Sequence, residues 1–104
     1  MIKKNIFANI PEKIPNEIFE TIITDKNIKI ERIISKGHTS PSHGWYDQEK
    51  NEWVILLDGE ASMEFEDKIV DLKKGDYINI LANQKHKVIK TSKNPPAIWF
   101  AIFY

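Results

Sequence analysis

The sequence predicts an all-β domain, a sandwich or a barrel, and three observations carry that prediction. Short segments rich in isoleucine, valine and aromatic residues recur along the chain, and several of them alternate between apolar and polar residues. Turn signals separate these segments about every 8–12 residues, a spacing typical of sandwiches and barrels. The stretch from Ser42 to Asn94 contains no proline, so backbone hydrogen bonds between strands can run through it unbroken.

The strands follow one another along the chain with little between them. The segment 15–24 has apolar residues at helical spacing. We nevertheless predict a strand there, because the segment is short and rich in β-branched residues. The dipeptide Asp58-Gly59 indicates a hairpin between the segments on either side of it. The other predicted strands are 27–35, 52–58, 60–67, 68–72, 77–81, 86–91 and 97–104.

Composition removes several classes of function. The chain has 104 residues, which suits one domain, and no cysteine, which excludes disulfides, thiolate metal sites and cysteine nucleophiles. The formal net charge is zero, so no general attraction to nucleic acid or to an anionic membrane is expected. No apolar run is long enough for a signal peptide or a membrane span, and we expect a cytoplasmic protein without nucleic-acid or membrane partners.

Two strands are apolar on both faces. In 52–58, Glu52, Val54 and Leu56 share one face and the other face is also apolar, and 97–104 shows the same pattern. A barrel covers only the inward face, so the outer face needs a second cover. Either the N-terminal segment or a second subunit supplies this cover. We expect one domain over 1–104, with 1–27 as an N-terminal extension packing on the barrel, and a homodimer.

Two short patterns resemble the motifs of the cupin family. Glu52 is followed by six residues and Gly59, which matches the second half of the first cupin motif, and Gly75 and His86 stand at the spacing of the second motif. The resemblance covers about 28–104. It implies an all-β cupin double-stranded β-helix, a jelly-roll-like barrel, here as a small single-domain cupin with a modified first metal motif.

The sequence departs from these motifs at several positions. Where the family has its two first-motif histidines, seven and five residues before Glu52, this chain has Trp45 and Asp47. In the second motif Leu81 replaces the proline, and Asn83 and Lys90 replace a glycine and an asparagine. The resemblance is therefore specific for the fold and only partial for the metal site.

The resemblance implies a metal held by histidine and glutamate inside the barrel, and the residues agree in part. Asp47, Glu52 and His86 are expected at one mouth of the barrel, and His43 reaches it if its loop folds inward. Two carboxylates and imidazole suit a divalent metal such as Zn, Fe, Mn or Ni. Each residue also has a structural alternative to metal binding. Glu52 could form an ion pair at the rim of the barrel, Asp47 could cap a turn, and His43 could be exposed to solvent in its loop.

The remaining candidates are pocket residues rather than metal ligands. Packing in the fold is the simpler interpretation of the aromatic residues Trp45 and Tyr46, but aromatic side chains also line many small-ligand pockets, which suggests a wall beside the polar groups. The predicted ligand pocket consists of Trp45, Tyr46, Gln48 and His38.

Three functions follow from this site. The first is binding of a divalent metal and a small polar molecule, with a metal-dependent reaction of unknown type and unknown catalytic residues. The second is a non-catalytic cupin that binds or senses a small ligand without metal. The third is a structural β-domain whose site has been lost. The fold alone does not decide among them.

Overall fold

The computed structural model describes all 104 residues, which form eight β-strands and no helix. The strands build two antiparallel sheets, one of five strands in the order β1-β2-β8-β3-β6 and one of three strands in the order β5-β4-β7. The chain forms no helix whose length and hydropathy would let it span a bilayer. The bounds are β1 (Ile18–Asp25), β2 (Ile28–Ser35), β3 (Glu52–Asp58), β4 (Glu60–Phe65), β5 (Ile69–Lys73), β6 (Tyr77–Ile80), β7 (His86–Thr91) and β8 (Ala97–Phe103).

The two sheets face each other across one apolar core. The alternation in β3 places Val54 and Leu56 inward, and both are almost fully buried. The alternation in β4 places Met63 inward from the opposite sheet. The all-β prediction and every predicted strand are confirmed, including the ambiguous first one. The buried core residues are Val54, Leu56, Ala61, Met63, Phe65, Leu72, Ile80, Ala97, Trp99 and Ala101.

The predicted hairpin at Asp58-Gly59 is wrong. β3 pairs with β6 and β8, whereas β4 pairs with β5 and β7, so the dipeptide joins the two sheets at a corner. Gly59 has φ of 82°, and a Cβ there would lie 2.7 Å from the Pro96 carbonyl oxygen and 2.8 Å from the Ala97 Cα. Glycine is required because the corner brings two backbone segments into contact.

The N-terminal segment lies against the outer face of β2. The Arg32 guanidinium donates hydrogen bonds to the carbonyl oxygens of Ile6 and Ala8 and forms an ion pair with Glu20 at 2.7 Å. Ile14 is buried although it does not belong to the core between the sheets. Residues 18–25 of the predicted extension form β1, the edge strand of the larger sheet.

Apolar side chains remain exposed along β1. Phe19, Ile22 and Ile23 are about half exposed, and one edge of this strand has no neighbour in the sheet. The unpaired backbone groups of an exposed apolar edge strand can form hydrogen bonds with a strand of another chain. The homodimer stays a prediction.

Candidate functional site

Two strands bring a carboxyl group and an imidazole together inside the barrel. Glu52 begins β3 on the same face as the core residues Val54 and Leu56, and His86 begins β7 in the opposite sheet. The His86 Nε2 atom lies 3.8 Å from the Glu52 Oε1 atom. The alternation of side chains in these two strands therefore turns both polar groups into the space between the sheets.

This pair lines a cavity of about 240 Å³ between the sheets, which we call the barrel cavity. Most of its wall is apolar, and eight of its fourteen lining residues are hydrophobic. A few polar groups converging in an apolar pocket is the usual form of a small-ligand site. The lining residues are Glu17, Phe19, Glu31, Ile33, Ser40, Tyr46, Gln48, Glu52, Val54, Met63, His86, Val88, Trp99 and Phe103.

The hydrogen bonds of His86 fix which ring nitrogen carries the proton. Nδ1 lies 2.9 Å from the carbonyl oxygen of Gln84. A carbonyl oxygen only accepts, so Nδ1 must donate, and in the neutral ring Nε2 is an unprotonated acceptor. Nε2 makes no hydrogen bond, because Glu52 Oε1 is too far away for one. In its neutral form, the ring therefore presents a free Nε2 lone pair to the barrel cavity.

Burial raises the pKa of the Glu52 carboxyl above its usual value of 4.5. Two neighbours oppose this effect: Gln48 Nε2 donates a hydrogen bond to Oε1 at 2.9 Å, and the His86 ring favours the charged form. The negative charge of Glu31 adds to the increase in the pKa. A carboxyl group with a raised pKa beside an imidazole has the groups needed to hold or transfer a proton.

Two further carboxylates line the barrel cavity. Glu31 is buried on the inward face of β2, and its Oε2 lies 3.1 Å from the Lys29 Nζ atom. Glu17 Oε2 accepts a hydrogen bond from the Ser35 hydroxyl. No lysine or arginine is among the lining residues. The lining of the barrel cavity therefore holds three glutamates and no lysine or arginine, and Lys29, outside the lining, pairs with one of them.

The structure brings together two of the four predicted metal ligands. Glu52 and His86 meet in the barrel cavity, whereas Asp47 and His43 are exposed and outside its lining. The backbones of Tyr46 and His86 form a β-bridge, in which each N–H donates a hydrogen bond to the carbonyl oxygen of the other residue. Asp47 is the next residue along the chain. The alternation that points Tyr46 into the lining leaves its neighbour Asp47 outside.

The predicted pocket residues divide in the same way. Tyr46 and Gln48 line the barrel cavity, whereas Trp45 and His38 do not. Trp45 lies on the outside, with the Lys87 ammonium 4.6 Å from its ring centroid. His38 Nδ1 accepts from the Lys36 amide, and Nε2 lies 3.1 Å from the Pro15 carbonyl oxygen. His38 therefore has a structural role, because it connects the loop after β2 to the segment before β1.

Several lining residues were missed from the sequence, although the signal for them was present. Glu31 interrupts an isoleucine-rich strand on the same face as Ile33, and a charge inside such a strand marks an unusual inward position. Trp99 and Phe103 lie on the inward face of β8. The aromatic wall of the barrel cavity therefore comes from Trp99, Phe103, Phe19 and Tyr46, and Trp45 takes no part in it.

The residues present do not fit the metal that the fold family implies. No group of three or more His, Cys, Asp or Glu side chains stands close enough to hold a metal ion. Glu52 and His86 supply two donors, one fewer than the three protein ligands of an open catalytic zinc site. Trp45 and Asp47, at the other two family positions, contribute no ligand atom to the barrel cavity.

Comparison with known families agrees with the motifs. The model of the cupin domain matches residues 31–103, so the chain belongs to the cupin family. No curated protein matches the chain.

Solved structures show the same fold over 90–99% of the chain. A protein of Ralstonia eutropha JMP134, described as a candidate mannose-6-phosphate isomerase, is 36% identical, with a TM-score of 0.94 over 99% of this chain and 97% of that one. A cupin superfamily protein of Desulfitobacterium hafniense DCB-2 is 17% identical, with a TM-score of 0.75 over 90% of this chain and 82% of that one. An RmlC-like cupin of Methanocaldococcus jannaschii, with a double-stranded β-helix fold, is 18% identical, with a TM-score of 0.70 over 99% and 91%.

Proposed function

We propose that this cupin binds a small molecule in the barrel cavity, through Glu52 and His86, and that a metal is not needed for binding. One observation carries the proposal: a buried carboxyl and a buried imidazole, 3.8 Å apart, converge in a mostly apolar cavity of about 240 Å³. A buried carboxyl with a raised pKa, in an apolar pocket where polar groups converge, is a common mark of a functional site. The predicted metal, the homodimer and the cytoplasmic location stay predictions.

The relative from Ralstonia eutropha suggests a phosphorylated sugar, but the lining of the barrel cavity does not favour one. A phosphate dianion would meet the carboxylates of Glu17, Glu31 and Glu52. No lysine or arginine lines the cavity to form the charge-assisted hydrogen bonds that phosphate sites rely on. The proposed ligand is therefore neutral or cationic.

A second function, proton transfer on a bound hydroxy-carbonyl compound, is favoured by the Glu52–His86 pair. Burial raises the pKa of Glu52, and the neighbouring imidazole has a free Nε2 acceptor. An aldose–ketose isomerisation moves protons between neighbouring atoms of its substrate, which is the work that such a pair can do. The test is the uptake of solvent deuterium by mannose and fructose: exchange that Glu52→Gln abolishes supports this function, and no exchange refutes it for these sugars.

Binding is tested by a thermal-shift screen of small metabolites against protein dialysed with EDTA. A ligand at a hundred times its Kd adds about 2.7 kcal/mol to the free energy of unfolding. In a domain of this size, each 1 kcal/mol raises the Tm by about 4–8 °C, so a true ligand is easily seen. Glu52→Gln and His86→Gln should remove the shift, whereas the control Glu64→Gln, at an outward position of β4, should keep it.

Trp99 gives an independent readout from inside the barrel cavity. A Trp45→Phe/Trp53→Phe double variant leaves Trp99 as the only tryptophan. Its fluorescence should respond to any compound that the screen selects. The proposal fails if no compound shifts the Tm, or if the shifts survive both site variants. A shift that appears only on adding Zn, Mn, Fe or Ni would restore the predicted metal site in place of the metal-free one.

A further inference from the structure

We propose that the ligand of the barrel cavity is a small organic amine, bound as its ammonium cation between Glu52 and His86. The inference rests on the proposed function and names the chemical class of its ligand. Three features of the barrel cavity support it: two facing acceptors, an excess of carboxylates, and an aromatic wall.

The two facing atoms both accept hydrogen bonds. His86 is only 6% exposed, its Nδ1 hydrogen is used by Gln84, and its Nε2 lone pair points into the barrel cavity without a partner. Glu52 Oε1 lies 3.8 Å from Nε2, too far for a direct hydrogen bond. A ligand that satisfies both atoms must bring two donor hydrogens. An ammonium group does this, whereas a carboxylate or phosphate group brings none.

The charge of the lining selects a cation. Glu17, Glu31 and Glu52 line the barrel cavity without a lysine or an arginine among the lining residues. The chain itself places an ammonium group at the rim. Lys29 Nζ lies 3.1 Å from Glu31 Oε2 and 6.0 Å from the centroid of the Phe103 ring. The rim thus already holds one ammonium group between a carboxylate and an aromatic ring.

The aromatic wall suits the body of such a ligand. Phe19, Tyr46, Trp99 and Phe103 line the barrel cavity, and aromatic rings attract cations through their faces as well as packing against apolar groups. The cavity volume of about 240 Å³ limits the ligand to a small molecule.

The test compares probes that share a carbon skeleton and differ in charge. Calorimetric titrations of EDTA-dialysed protein use benzylamine, benzyl alcohol and benzoate, and then isoamylamine, isoamyl alcohol and isovalerate. We expect each amine to bind at least tenfold more tightly than its alcohol and the two carboxylates not to bind. Glu52→Gln should weaken amine binding at least tenfold and change alcohol binding less than twofold, and Glu64→Gln should change neither.

A second variant is designed to strengthen amine binding rather than weaken it. Lys29 is 46% exposed at its side chain, so Lys29→Met should leave the fold intact while freeing Glu31 and Phe103. We expect it to tighten amine binding several-fold and to leave alcohol binding unchanged.

The outcomes separate the ligand class from the site. If the alcohols or the carboxylates bind as tightly as the amines, and Glu52→Gln still weakens them, the amine proposal falls and ligand binding in the barrel cavity stands. If neither amine binds, the amine proposal falls, and the metabolite screen alone then decides whether the site binds a ligand. If Lys29→Met weakens amine binding, the charge argument is wrong.

Discussion

Replacing Gly59 by alanine should destabilise the protein severely, because this residue forms the corner between the sheets. With φ of 82°, an alanine there adopts a left-handed conformation, which costs roughly 1–2 kcal/mol. Its Cβ would also lie 2.6 Å from Ser92 Oγ, 2.7 Å from the Pro96 carbonyl oxygen and 2.8 Å from the Ala97 Cα. Two of these contacts are with backbone atoms, so the strands must move, and forcing extra atoms into a packed site typically costs a further ~1–3 kcal/mol.

The expected loss is therefore about 2–5 kcal/mol, a large part of the ~5–15 kcal/mol that stabilises a typical domain. Urea unfolding followed by circular dichroism measures it. Gly44→Ala is the matched control, since Gly44 has φ of 89° and nothing within 4 Å of its Cβ position. Gly44→Ala should lower the free energy of unfolding only by the roughly 1–2 kcal/mol that the left-handed backbone conformation costs. Equal losses in the two variants would refute the argument that close backbone contact requires glycine at position 59.

Three further predictions concern the site, the core and the assembly. Burial raises the folded-state pKa of Glu52, so its contribution to stability is fully present below the unfolded value, near 4.5, and is lost as the pH rises through the folded value. Glu52→Gln should therefore be more stable than the original protein at pH 7–8, with a flatter pH profile of unfolding; a less stable variant at pH 8 would contradict this. Leu56→Ala, at a position 1% exposed, should cost about 2–5 kcal/mol in the same urea assay, and a loss below ~1 kcal/mol would show that the core rearranges there. Light scattering at micromolar concentration should give twice the chain mass of 12.1 kDa if the exposed apolar edge of β1 pairs with a second copy; a monomer mass would contradict the predicted homodimer.

The strands could be predicted from local patterns, because apolar and polar residues alternate within a strand and the sequence shows this alternation directly. In β3 and β8 both faces are apolar, so the two-residue period alone does not identify the inward face. Glu52 was selected from its position in the first cupin motif and from the face that it shares with Val54 and Leu56. The pairing of strands could not be identified in this way. Asp58-Gly59 has the composition of a hairpin turn, yet the chain passes to the other sheet there, which depends on contacts with Pro96 and Ala97 from a distant part of the sequence.

The candidate site was predicted in part for the same reason. His86 was found because it stands at the spacing of the second cupin motif, and the opposite sheet brings it to Glu52. Asp47 lies between β2 and β3, and its outward direction follows from the bridge of Tyr46 with His86, which the local sequence does not reveal. Glu31 and Trp99 were missed because their inward orientation is useful only once β2, β8 and the opposite sheet are known to enclose a cavity.

The state of the His86 ring tests the central claim most directly. Long-range proton–nitrogen NMR spectra of EDTA-dialysed protein distinguish the two neutral tautomers, and the His38→Gln and His43→Gln variants identify the signals of His86. We predict a protonated Nδ1, held by Gln84, and an unprotonated Nε2 whose resonance moves when the tightest compound from the metabolite screen is added without metal. A proton on Nε2 in the free neutral ring, or an Nε2 resonance that responds to a divalent metal and to no small molecule, would contradict the account.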